Sequence, residues 1–374
     1  MNQQAMRNLT LFDLLARSWR RPSAITDAHF SADGTTIAFP SADGTVAIAA
    51  VADSEPPNMR IRVSGDLGQT TIRPREKPPV PLITTPQLAA GPIPITAFGQ
   101  SDFLLGGGAG DVLLLRADGS LGEPVLKLES AIVAIDHSVA NGVTVATDGN
   151  KILLVRQGSQ FALAHGAASP VSTVALSPGG DHLAFSAGDR LWVWVSGDET
   201  MPLDDFACAG QPVSIRWNGQ SLLACALGAD GFSLIDCASR RTDAVAGFPA
   251  PVRSVSWSGP ANALVASGAF RIAAWVMDTP LLAGKLSSGA LETGRAGLFP
   301  VEAVAAHPSK GLVAAGYANG QIVVAQIGTR DELIIRQRGG PVTTLAWSPD
   351  GSHLATGDAD GVAAIVTFAA QMFK

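Results

Sequence analysis

One unit recurs eight times along this chain at intervals near forty residues, and that recurrence limits the possible folds more than any other feature. Its clearest copy, residues 340–368, reads GPVTTLAWSPDGSHLATGDADGVAAIVTF. Apolar residues fall into three short runs, 342–347, 353–356 and 362–368, separated by Pro-Asp-Gly and Asp-Ala-Asp-Gly. Glycine takes positive φ without steric cost and aspartate hydrogen-bonds its own turn backbone, so the unit predicts three antiparallel strands joined by tight turns. Such a meander has an apolar surface on both sides and cannot bury either one alone, so it needs copies of itself.

Good copies run over 24–51, 169–195, 251–276 and 300–327, and weaker ones begin at Ile95, Ile132 and Val213. The first apolar residues of the eight units are Ile25, Ile95, Ile132, Val171, Val213, Val252, Val301 and Val342, with successive spacings of 70, 37, 39, 42, 39, 49 and 41 residues. Ankyrin, tetratricopeptide and leucine-rich repeats are shorter and carry helices, whereas a period near forty is that of one four-stranded propeller blade. The expected fold is therefore all-β: one closed β-propeller over residues 1–374, of eight four-stranded antiparallel blades, with seven blades as the alternative. The two long spacings should hold insertions, at 54–93 and 279–299.

The pattern V-x-x-L-x-W-S-P-D-G-x-x-L-A-x-G-x-x-D-G over Val342 and the residues after it resembles the WD40 repeat family, and the resemblance covers nearly the whole chain. The dipeptide that names the family is replaced, as at Trp194-Val195, Ile235-Asp236 and Trp275-Val276. Only the fourth unit approaches the family's hydrogen-bonded His, Ser, Asp and Trp set, with His165, Ser186, Asp189 and Trp194, so packing is expected to matter more than that network.

Composition fits many tight turns around a large core: 40 glycines, 47% hydrophobic residues and only 16% charged ones. A net charge of -6 supplies no field to gather nucleic acid. Three cysteines, Cys208, Cys225 and Cys237, give no C-x-x-C pair, which argues against a disulfide framework or zinc knuckle. No run reaches the roughly 18 apolar residues of a membrane span, and the start, MNQQAMRNLTLFDLLARSWRR, lacks a signal-peptide pattern. The expectation is a cytoplasmic protein that binds neither membrane nor nucleic acid.

The eighth unit ends its third run at Phe368, leaving too few residues for a fourth strand. The missing strand is expected from residues 1–23, specifically from 8–16; the alternative there is an amphipathic helix, from the spacing of Leu11, Leu15 and Trp19. Proline keeps most of the 54–93 insertion out of a sheet interior, leaving room for one strand near 59–63 or 80–84 and otherwise a surface loop or a docking arm. In 279–299 a strand is expected at 281–286, with exposed leucines as a candidate contact.

No catalytic, cofactor or metal constellation is evident. His182 and His353 fill one repeat slot, while His29, His137 and His307 lie in first strands, in positions that are not equivalent. Gly106 to Gly110 has no Lys-Ser/Thr after it, so it is expected to be strand and turn glycine. Trp217, Trp257 and Trp347 share a slot that should place them between blades. First strands should line a central channel, and the side chains just after each anchor should face one mouth: Thr26, Asp27, Thr96, Ser172, Ser214, Arg253, Glu302 and Thr343. Arg253 and Glu302 are the expected charged pair of that ring. Members of the resembling family commonly bind peptides or protein domains there, which implies a non-enzymatic protein-interaction scaffold. The alternative is a propeller enzyme or small-molecule or metal binder using the channel.

Overall fold

Asp-Gly turns set the strands as the sequence predicts. Asp33, Asp43 and Asp350 each accept the backbone N–H two residues on, and the next residues, Gly34, Gly44 and Gly351, have φ of 69°, 77° and 71°. The computed structural model describes residues 9–63, 70–196, 204–277, 290–369 and 372–373. Within them are eight four-stranded antiparallel sheets. Their first strands are His29–Phe30, Ile95–Phe98, Ala134–Ser138, Val171–Leu176, Ser214–Asn218, Val255–Ser258, Val301–Ala306 and Val342–Trp347, which define blades 1 to 8. Each first strand packs on the next and the eighth packs on the first, so the ring closes.

The second and third strands carry the core. His182–Ala187, Leu222–Ala226 and Val362–Thr367 are almost wholly buried, because both faces of these strands meet a neighbouring blade. Gly316 and Gly357 show how tightly the blades approach: a Cβ at either would overlap Val342 or Ile25 of the following blade. Gly106 does the same against Ile132, which accounts for the first glycine of that run as a close-packed strand end. Seven of the eight predicted anchors are buried, whereas Val213 is 53% exposed and Pro212 is buried beside it. Trp217 follows Pro212 by five residues, as Trp347 follows Val342, so blade 5 is anchored one residue earlier than its apolar pattern suggests.

The last blade takes its outer strand from the N-terminal segment. Ala16–Arg20 pairs antiparallel with Val362–Thr367, from Ala16↔Val366 to Arg20↔Val362. This corrects the expected position, since most of 8–16 is not strand: Leu11–Leu15 is a short helix. Thr10 and Asp13 form a capping box, Thr10 N–H donating to Asp13 Oδ2 at 2.8 Å and Asp13 N–H to Thr10 Oγ1 at 3.3 Å. Leu11, Phe12 and Leu15 pack on the core between blades 7 and 8.

One strand was expected in the long insertion, near 59–63 or 80–84, and both places hold strand in part. Ile61–Val63 pairs with Thr70–Ile72 in a small hairpin, and Ile83–Thr84 is the outer strand of blade 1. The hairpin is tied to the N-terminal segment, Arg60 donating to the carbonyls of Leu14 (2.7 Å) and Glu55 (2.9 Å). Trp19 Nε1 donates to the Val80 carbonyl at 2.8 Å. This part of the insertion therefore clamps the seam between blades 8 and 1. In the second insertion, 281–286 lies outside the described residues, and the outer strand of blade 6 is Leu291–Thr293. Cys225 and Cys208 are buried in the core shared by blades 4 and 5, and all three cysteines are free thiols.

Candidate functional site: the central channel and its rim

Eight first strands enclose a channel of about 1020 Å³. Because strand side chains alternate, each strand sends every second residue inward. Pairing with the second strands puts His29, Thr96, Asp136, Ala175, Arg216, Ser256, Ala305 and Ala346 at one height, opposite Ala38, Leu104, Val145, Ala184, Ala224, Val265, Ala314 and Ala355. All eight line the channel.

Side chains stitch this ring from blade to blade. Trp217, Trp257 and Trp347 donate their indole N–H to the carbonyls of Ala175, Arg216 and Ala305 on the preceding blade, at 2.9, 3.0 and 3.0 Å. The three tryptophans thus lie between blades, as their shared slot predicts, and also hold them together. Asp136 bridges three blades, accepting from Leu176 N–H at 2.7 Å, His137 N–H at 2.8 Å and Thr96 Oγ1 at 3.3 Å. Burial raises its carboxyl pKa, and those donors and the Arg216 charge offset this only in part. Ser254 and Ser256 accept the N–H groups of Val304 and Ala306 on blade 7, at 2.9 and 3.0 Å.

Below the rim, two heights carry charge. Asp27 Oδ2 lies 2.9 Å from His29 Nε2 on blade 1. Burial alone would raise the Asp27 carboxyl, but the His29 charge and hydrogen bond, with help from Arg216, outweigh it and lower its pKa. His29 is raised in turn, since Asp27 outweighs its burial. Arg216 stands across the ring on blade 5 and donates one hydrogen bond, to the Ile215 carbonyl at 3.1 Å.

The predicted site residues separate into three levels. Ser172, Glu302 and Thr343 are the extra residues of β-bulges in blades 4, 7 and 8, which lift them out of the ladder at the rim. Thr26 and Arg253 stand at the same step of their blades. Asp27 and Ser214 sit one step further in, and Thr96 lies at the height of His29. Seven of the eight line the channel, and Glu302 is tied to Arg253 by a 3.0 Å ion pair. That pair is not the only charge of the ring, because Asp27, His29, Asp136 and Arg216 share the channel. Asp136 and Arg216 were not singled out by the sequence reading, although Arg216 directly precedes the recurring tryptophan slot and could have been found by that count. Val133 and Val213 were also missed: both line the same mouth, 47% and 53% exposed.

The other histidines do not converge. His137 bonds Thr144 Oγ1 at 2.9 Å, His307 is buried against the Gly351 carbonyl at 3.1 Å, and His353 bonds Thr367 Oγ1 at 3.0 Å. Among the described residues no three of His, Cys, Asp and Glu are grouped to hold a metal, and no helix is long and apolar enough to cross a membrane. The His165, Ser186, Asp189 and Trp194 set that blade 4 approaches is not assembled: Ser186 bonds the hydroxyls of Ser172 and Thr173 instead, and His165 leans on Phe185 with its Nδ1 unbonded among the described residues.

Residues 333–365, from the outer strand of blade 7 through most of blade 8, match the model of the WD40 family, described as WD domain, G-beta repeat. No curated protein matches the chain. Among solved structures, the computationally designed Ika8 protein matches with a TM-score of 0.65 at 17% identity, over 93% of this chain and 98% of that one. The C-terminal WD40 domain of Sif2 matches with a TM-score of 0.65 at 13% identity, over 96% and 98%. U3-55K matches with a TM-score of 0.57 at 13% identity, over 95% and 98%. The chain therefore carries a recognisable WD40 repeat and has, over nearly its whole length, the fold of a WD40 propeller with eight blades.

Proposed function

We propose that this chain is a non-enzymatic scaffold that holds protein or peptide partners within a cytoplasmic complex. Propellers of the WD40 kind commonly mediate protein–protein interaction, and one observation on this chain supports that use. Along the rim, blades 3 to 7 present Val133, Ser172, Val213, Arg253 and Glu302 in succession, two exposed aliphatic side chains beside an exposed arginine. Apolar contact there supplies affinity, and the Arg253–Glu302 pair orients the partner by charge.

The test is affinity capture from the cytosol with the intact protein and two variants. Exchanging the pair, as Arg253→Glu with Glu302→Arg, preserves the local ion pair and inverts the field at the rim; Val133→Asp with Val213→Asp removes the apolar contacts. Loss of the same partner from both variants is the expected result. A partner retained by both at wild-type level would refute the rim as the docking face.

A further inference from the structure

The inner ring divides the channel electrostatically in a way the scaffold reading does not use. On one side Arg216 projects from blade 5 and, among the described residues, donates only to the Ile215 carbonyl. Beside it at the same height, Ser256 has its oxygen occupied by Ala306 N–H, so its own hydroxyl proton remains available to a ligand. Ser254, one step nearer the rim, is fixed in the same manner by Val304 N–H. The Trp257 indole bonded to the Arg216 carbonyl holds blades 5 and 6 at this point. A guanidinium on one blade with two oriented hydroxyls on the next is a donor array suited to a carboxylate.

The opposite side has the reverse character. Asp27 is half exposed to the channel, with Oδ1 accepting from Ala28 N–H at 2.8 Å and Thr344 Oγ1 at 3.3 Å, and Oδ2 beside His29. Asp136, on blade 3 midway round the ring between Asp27 and Arg216, adds a second carboxylate, though its oxygens are already engaged by three blades. A polyanion at Arg216 would face both carboxylates, and a plain cation at Asp27 would face Arg216 and His29. The arrangement suits a molecule with one charge of each sign.

We infer that the central channel binds a small dipolar ligand carrying a carboxylate and an ammonium group, the carboxylate on Arg216, Ser254 and Ser256 and the ammonium toward Asp27. The same chemistry is available from a free amino acid or short peptide and from neighbouring Lys and Glu side chains of a protein segment entering the bore. The inference is independent of the scaffold reading, since its residues lie below the rim.

Calorimetric titration of the full chain tests it with four probes: glycylglycine, the blocked peptide acetyl-Lys-Gly-Glu-amide, acetate and ethylammonium. Expected is saturable binding of at least one dipolar probe, with acetate and ethylammonium each at least tenfold weaker. Arg216→Gln and Asp27→Asn should each weaken that probe at least tenfold, the usual loss when a charge-assisted bond is removed. Among the described residues Arg216 bonds only its own backbone neighbour, so Arg216→Gln should unfold in urea at the wild-type midpoint, whereas Asp27→Asn keeps an acceptor for Ala28 and Thr344 but loses the charge pair with His29 and should unfold in one cooperative transition at a somewhat lower midpoint. Binding of glycylglycine points to a free ligand, and binding of the blocked peptide alone to a protein segment. Failure of both dipolar probes, acetate binding as well as either, or undiminished binding by Arg216→Gln would overturn the inference.

Discussion

Truncating Arg17 should open the seam on which ring closure depends. Arg17 lies on the strand that completes blade 8, is 5% exposed, and reaches into blade 1. It donates to the carbonyls of Ala50 and Ala52, both at 3.0 Å, and of Val51 at 2.6 Å. Asp53 lies 4.0 Å from its Nε and also pairs with Arg75 at 2.5 Å. Breaking a buried pair typically costs about 3–5 kcal/mol, mostly through the charge left behind. Here Asp53 keeps Arg75, and the exposed Ala50 and Ala52 can turn their carbonyls to water, so the low end applies, about 3 kcal/mol for Arg17→Ala. Arg17→Lys should fall between, because an ammonium cannot reach three carbonyls in a fork. Urea unfolding followed by tryptophan fluorescence measures both, with the exposed Arg338→Ala as a control expected within about 0.5 kcal/mol of wild type. An Arg17→Ala protein within about 1 kcal/mol of wild type, at unchanged denaturant dependence, would refute the claim that this seam is held by the guanidinium.

Three further outcomes follow from the same geometry. Trp347→Phe should cost about 1–3 kcal/mol in urea, because it leaves the Ala305 carbonyl without its inter-blade donor, whereas Trp192→Phe, whose indole N–H has no partner, should cost less; equal losses would mean that packing alone matters. Gly351→Ala places a methyl group against the His307 ring at a φ of 71° and should cost at least about 2 kcal/mol by the same measurement. Slight burial would raise the Asp350 carboxyl, but bonds from Ser348 and Ser352 outweigh it and hold its pKa at about 2. Its folded value is below its unfolded one, so its contribution is complete above about pH 4 and fades as pH falls toward 2. The stability gap between wild type and Asp350→Asn should therefore close over that window, and a gap that widened there would contradict the assignment.

Strands that face two blades were legible because burial forces them to be apolar, and their turns need Asp and Gly. Outer strands were less so, since one side meets water and little constrains their sequence: exposed Ile83–Thr84 falls within one of two alternatives, and Leu291–Thr293 has only one leucine to mark it. The closing strand could be inferred from a missing partner, but its limits were misplaced because the Thr10–Asp13 capping box outweighs the apolar run it opens. In the channel, residue type was visible and depth was not. Thr96 and Thr343 look alike in the sequence, each following an apolar anchor, yet Ile95 pairs with Leu105 at the height where Leu345 pairs with Thr356, three residues past Val342, so Thr96 lies down beside Asp136 while Thr343 stays at the rim.

The bonds that join one blade to the next lie outside the His, Ser, Asp and Trp set of the resembling repeats. A blade touches only its two neighbours, so the ring is as strong as its weakest seam. A hydrogen-bonded set confined to one blade would rigidify that blade without joining it to the next. The indole, serine and Asp136 bonds run between first strands, so they act at the seams themselves. Blade 8 has the most to hold, since its outer strand comes from the far end of the sequence and must be kept at both sides. Arg336 holds one side, donating to the Gly320 and Gly340 carbonyls and pairing with Asp358 at 3.0 Å, and Arg17 holds the other. Two buried guanidiniums flank the one blade whose strands are not continuous in sequence, where loop closure gives the least help.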